Sequence, residues 1–90
     1  MPRYLVERTY PDQFAIPIDL SGVQLCQAII DNDALEQATW LHSYVTIDLR
    51  KTICVYDAPS PEAVRRAAQR NNLPIDRITE VRVFDPYFYL

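Results

Sequence analysis

The side chains able to do chemistry in this 90-residue chain are few: one imidazole, His42; two thiols, Cys26 and Cys54; the carboxylates Glu7 and Glu80; the guanidinium of Arg82; and the phenols Tyr44 and Tyr56. Arg82 can clamp an anion, and a carboxylate beside it can act as general base. Tyr44 and Tyr56 can hydrogen-bond the same ligand or simply fill a cavity wall. His42 can be a ligand, an acid–base group or a hydrogen-bonded sheet residue. The plain structural account stands beside each of these readings. Glu7, Glu80 and Arg82 can be a satisfied charge cluster on neighbouring strands. Cys54 reads first as a small buried hydrophobe, since only His42 on the neighbouring strand could depress its pKa. Cys26, on an apolar helical stripe, reads as core. The two cysteines form no C-x-x-C pair, which removes zinc-ribbon and thioredoxin-type chemistry.

The elements that position these groups follow from periodicity and turn residues. Residues 4–8 are β-prone and stop at Pro11 and Asp12. Asp19 or Ser21 can cap a helix whose Val23, Cys26, Ile29 and Ile30 form a stripe at spacings of three and four, ending near Asp31, Asn32 and Asp33. Residues 40–47 and 52–57 pair as a hairpin. Ser60, Pro61 and Glu62 start a second helix, running to about Arg70 and stopped by Asn71 and Asn72. Residues 76–84 form the last strand. The order β-α-β-β-α-β predicts an α+β, ferredoxin-like sandwich over residues 1–90: a four-stranded antiparallel sheet with two helices on one face.

The other face is then open. Alternation along the strands, with the more apolar set turned toward the helices, assigns Glu7, Trp40, His42, Tyr44, Cys54, Tyr56, Glu80, Arg82 and Phe84 to it. A face mixing aromatics with titratable groups asks to be covered. Two copies packed open face to open face would enclose it as a dimeric α/β barrel and add the burial that a 90-residue domain lacks. The terminal Tyr87, Phe88, Tyr89 and Leu90 are expected to pack across that dimer or onto the subunit's own helices. Arg65, Arg66 and Arg70 read as a solvated helix face.

Composition excludes several classes. A hydrophobic fraction of 49% with 23% charged residues is ordinary for a globular domain. The net charge of −3 disfavours nucleic acid, as does a third strand without the exposed aromatics and glycines of an RNA-binding sheet. No apolar run is long enough to span a membrane and no secretory leader precedes the first strand, so the expected location is the cytoplasm.

Four segments carry a family resemblance: Val-Glu-Arg-Thr-Tyr-Pro beginning at Val6, Trp-Leu-His-Ser-Tyr-Val at Trp40, Cys-Val-Tyr-Asp-Ala-Pro-Ser-Pro-Glu at Cys54, and Leu-Pro-Ile-Asp-Arg-Ile-Thr-Glu-Val at Leu73. Over nearly its full length the chain resembles the bacterial domain-of-unknown-function family 4242, whose members are ferredoxin-like, tend to be dimeric and include a nickel-binding protein. The resemblance implies a non-catalytic homodimer holding nickel or another divalent transition metal, with His42 as ligand and Cys54 and Glu7 as neighbours. Imidazole and thiolate suit such ions, but one histidine per chain requires carboxylates, water or a symmetry-related His42 to complete the sphere. The alternative expectation is a small-molecule-binding protein or enzyme of the dimeric barrel type, using Tyr44, Tyr56, Glu80 and Arg82 around the cavity.

Overall fold

The computed structural model describes residues 1–88. Six elements follow in the expected order: β1 (Arg3–Thr9), α1 (Leu20–Ala34), β2 (Thr39–Val45), β3 (Lys51–Asp57), α2 (Pro61–Asn71) and β4 (Arg77–Val81). The strands make one sheet in the order β2-β3-β1-β4, with every neighbouring pair antiparallel. This is the ferredoxin-like topology, with β1 and β3 in the centre of the sheet.

Helix α2 starts as its sequence dictates. The Ser60 side chain accepts a hydrogen bond from the Ala63 backbone N–H at 3.2 Å, and Pro61 occupies the first turn. Asn72 ends the helix at φ 53°, a left-handed conformation that asparagine tolerates better than most residues. Ser60→Ala should therefore cost about 1 kcal/mol and lower the melting temperature by roughly 4–8 °C, read by thermal denaturation. The inward side of α2 is Ala63, Val64, Ala67 and Ala68. Such small side chains leave room for the large Tyr4 and Tyr56 in the same core cluster.

Helix α1 is capped by Asp19, whose carboxylate accepts from the Gly22 N–H at 3.1 Å. Its inward line is not the expected Val23, Cys26, Ile29 and Ile30. Gly22 and Asp33 are buried, Cys26 and Ile29 are half-buried, and Val23 and Ile30 remain 65% and 45% exposed. The stripe has rotated by about one residue because the helix approaches the loop before it at Gly22, where a Cβ would overlap the Pro17 carbonyl. A line through positions 22, 26, 29 and 33 keeps helical spacing with its smallest residue at the closest point.

Strand β4 ends at Val81 rather than near residue 84. Tyr87 and Phe88 are 90% and 82% exposed, so within one chain they do not pack on the helices; Tyr89 and Leu90 lie outside the described residues.

Candidate functional site

The sheet register decides which groups share a side, because directly paired residues point the same way. One side of the sheet carries the row His42–Val55–Leu5–Thr79 and, next to it, Tyr44–Ile53–Glu7–Arg77. At its end lies the row Thr39–Asp57–Arg3–Val81. The other side carries Ser43–Cys54–Val6–Ile78 and Trp40–Tyr56–Tyr4–Glu80. Tyr4, Val6, Cys54 and Tyr56 are buried there in one cluster with Ala63, Val64 and Ala67 of α2, so this side faces the helices.

The open face is therefore only partly the one expected. His42, Tyr44 and Glu7 belong to it, and Val6 faces the helices. Cys54 and Tyr56 do not belong to it: they are 6% and 3% exposed, under the helices. Trp40 has also changed sides, because a bulge between Trp40 and His42 inserts Leu41 and breaks the alternation. The assignment reversed on β3 because it placed the more apolar set inward, and Ile53 and Val55 are more apolar than Cys54 and Tyr56. In the folded chain the alanine-rich α2 accepts the tyrosine, and the branched residues lie on the uncovered side.

β4 is reversed in the same way. Val81 pairs with Arg3 on the open face, Glu80 pairs with Tyr4 on the helix side, and Arg82 and Phe84 lie beyond the strand. The four expected ligand-binding residues are thus dispersed. Tyr44 is on the open face, Tyr56 is in the core, and Glu80 and Arg82 line a surface hollow beside Arg3 and Asp57.

Two ion pairs bracket the apolar centre of the open face. Arg3 grips Asp57 through Nε–Oδ1 at 2.9 Å and a second contact at 3.3 Å, and these hydrogen bonds hold the Asp57 carboxyl below its ordinary range. Lys51 Nζ lies 3.7 Å from Glu7 Oε1, a looser pair. Glu7 thus answers Lys51 rather than joining Glu80 and Arg82. Between the two pairs are Leu5, Ile53 and Val55, with Val81 beside Arg3 at the end of the face, all half-buried although no second layer covers them. His42 stands at the β2 edge with its ring edge-on to Tyr44, centroids 5.4 Å apart. On α2, Arg66 and Arg70 are not merely solvated: both donate to Glu36, at 2.8 and 3.0 Å, and hold its carboxyl below the usual range.

Within a single chain these donors do not form a metal site. His42, Glu7 and Cys54 are divided between the two sides of the sheet, and among the described residues no group of three or more His, Cys, Asp or Glu side chains could hold an ion. Two buried charged residues were missed by the sequence reading, Arg8 and Asp33, at 2% and 1% exposure. Inward parity with Val6 was the available signal for Arg8; nothing in the helical pattern marked Asp33.

The fold and its faces define a class: a ferredoxin-like α+β protein with two helices over one side of the sheet and an apolar, ion-pair-bracketed opposite side. The chain belongs to the family described as nickel responsive protein SCO4226-like, whose family model matches residues 4–81. Its expected kinship with a ferredoxin-like family that includes a nickel-related protein holds at that level. The crystal structure of SCO4226 from Streptomyces coelicolor A3(2) superposes with a TM-score of 0.74 at 19% identity, covering 92% of this chain and 99% of that one, which establishes a shared fold. No curated protein matches the chain. No helix among the described residues is long and apolar enough to cross a membrane.

Proposed function

We propose that this chain is a cytoplasmic homodimer that binds nickel or a similar divalent transition metal between two open sheet faces, without catalysing a reaction. The observation that carries this reading is the open face itself. Leu5, Ile53, Val55 and Val81 form an uncovered apolar centre, flanked by the Arg3–Asp57 and Lys51–Glu7 pairs, and His42 stands on the same side. Apolar surface of this kind favours association, and a two-fold axis lets each acidic partner meet a basic one. The metal part rests on the family description together with donor chemistry. One chain offers His42 and the loosely held Glu7; two chains offer a pair of each, an N/O set that suits nickel. Cys54 is left out of this set because it lies under the helices.

Nickel titration of untagged protein by calorimetry, with sedimentation of the same samples, tests the proposal. A dimer should bind nickel at one ion per two chains. His42→Ala should weaken binding by at least about tenfold to a hundredfold, the range that even groups which merely orient a metal ligand command. Val55→Lys should give a monomer that has lost the site. A monomeric native protein, or nickel binding indifferent to His42, would overturn the proposal.

A further inference from the structure

The centre of the open face has limited apolar area left to lose. Leu5, Ile53, Val55 and Val81 are already half-buried within one chain, whereas a stable interface removes about 800 Å² from each partner. Two other apolar features of the chain lie uncovered. One is the segment after β4. A turn closed by Asp85, which accepts from the Tyr87 N–H through its side chain at 3.0 Å and from the Phe88 N–H through its carbonyl at 3.2 Å, leaves both aromatic residues almost wholly exposed. The other is an open hollow of about 650 Å³ between α1 and the loop before it, walled by Ile16, Ile18, Val23, Cys26 and Ile30. Its surface is mostly apolar, and Ile18, Val23 and Ile30 are exposed.

Tail and hollow belong to opposite ends of the sheet. Val81 pairs with Arg3, so the chain leaves β4 at the Arg3–Asp57 end. The loop leading to α1 starts from the other end, where the Tyr10 and Phe14 N–H groups donate to the carbonyls of Arg50 and Leu49. A two-fold axis running across the strands exchanges those ends between two chains packed open face to open face. It lays β1 over β1 and β3 over β3, so that Arg3 faces the partner's Glu7 and Asp57 faces the partner's Lys51. The same operation carries each aromatic turn to the end of the other chain that holds the hollow. The four residues from Val81 to Asp85 cover up to about 13 Å, more than the roughly 10 Å between packed sheets, so the turn clears the interface and its rings reach the layer behind.

We infer that the Tyr87–Phe88 turn of each chain seats in the hollow beside α1 of a second copy, a reciprocal clasp. This rests on the open-face homodimer proposed above and adds a second contact to it. Burying both rings removes roughly 300–500 Å² of aromatic surface per chain, a large part of what the interface needs. The family model ends at residue 81, so the clasp lies outside the matched region.

Cys26 makes the hollow readable, because it lines the wall and is half-buried, whereas Cys54 is buried in the core. Its rate of reaction with dithionitrobenzoate is measured in the native chain and in variants, with sedimentation of the same samples. The native dimer should react slowly. Monomeric Val55→Lys should react at least about tenfold faster, the factor that withdrawing one large buried side chain commands. Tyr87→Ala combined with Phe88→Ala touches no part of the core; it should react as fast as Val55→Lys and weaken the dimer by at least about tenfold. Val23→Asp, on the other side of the contact, should weaken the dimer to a similar extent. A native dimer in which Cys26 reacts as fast as in the double alanine variant would overturn the clasp and leave the open-face dimer standing. Slow reaction in monomeric Val55→Lys would put the rings on their own chain and also overturn it. A native chain that sediments as a monomer would overturn the dimer itself and the clasp with it.

Discussion

Gly22→Ala should destabilise the protein by about 2–3 kcal/mol, the cost of forcing atoms into a packed site, and lower its melting temperature by roughly 10–20 °C. Helix propensity alone argues the opposite, since alanine gains up to about 1 kcal/mol over glycine in a helix. The structure reverses the sign because the new Cβ would overlap the Pro17 carbonyl oxygen and crowd the Ile16 methyl. A carbonyl in the backbone of a short proline-bearing loop cannot swing aside as a side-chain end can. Relief would push α1 away from the loop on which it rests. Circular dichroism melts of Gly22→Ala beside Gln24→Ala, an exposed position on the same helix, measure this. A Gly22→Ala protein as stable as the native chain would show that α1 does not rest on the loop.

The second large effect is linked to pH. Burial drives the Asp33 carboxyl up from 3.8 to about 6, against smaller opposing pulls from its hydrogen bond to Asn71 and the attraction of Arg8. Folded protein therefore holds the proton up to about pH 6, whereas the unfolded chain releases it near 3.8. Between those values the native state binds more protons than the unfolded state, and Asp33 costs the fold stability as pH rises. The full cost is about 3 kcal/mol, from 1.36 kcal/mol per pKa unit. Asp33→Asn keeps an oxygen for the Asn71 amide and cannot ionise. The difference in unfolding free energy between variant and native protein should thus move in the variant's favour by about 2 kcal/mol from pH 4 to pH 7. Urea unfolding of both proteins across that range measures it, and a difference independent of pH would mean that Asp33 is not buried as a carboxyl. The unpartnered Asp33 oxygen is consistent with this cost.

These expectations concern residues that the sequence reading did not single out, for a physical reason. Gly22 and Asp33 sit at two ends of one inward helical line, and an amphipathic reading looks for large apolar residues, not for a glycine and an aspartate. The open face failed in a related way. Ranking the two sides of β3 by apolarity assumes that one side is wet, whereas both sides of this strand are apolar, and the tyrosines that seemed polar are core residues beneath an alanine-rich helix. The bulge at Leu41 compounded the error by moving Trp40 to the side opposite His42. Where local signals were unambiguous the reading held. The Ser60 cap, the stop at Asn71 and Asn72 and the two hairpin strands all rest on interactions within a few residues, and of the two candidate caps for the first helix, Asp19 and Ser21, the structure uses Asp19.

Element order and topology were thus contained in the chain itself, because turn residues, caps and hydrophobic periodicity act locally and the handedness and non-crossing of connections leave only a handful of arrangements for β-α-β-β-α-β, the ferredoxin-like one among them. Tertiary packing alone decided which side of each strand met the helices, and with it the company that His42, Cys54 and Arg8 keep. A register and a bulge are settled by the fit of Tyr4 and Tyr56 beneath the small residues of α2, a complementarity between segments far apart in sequence that no window along the chain contains.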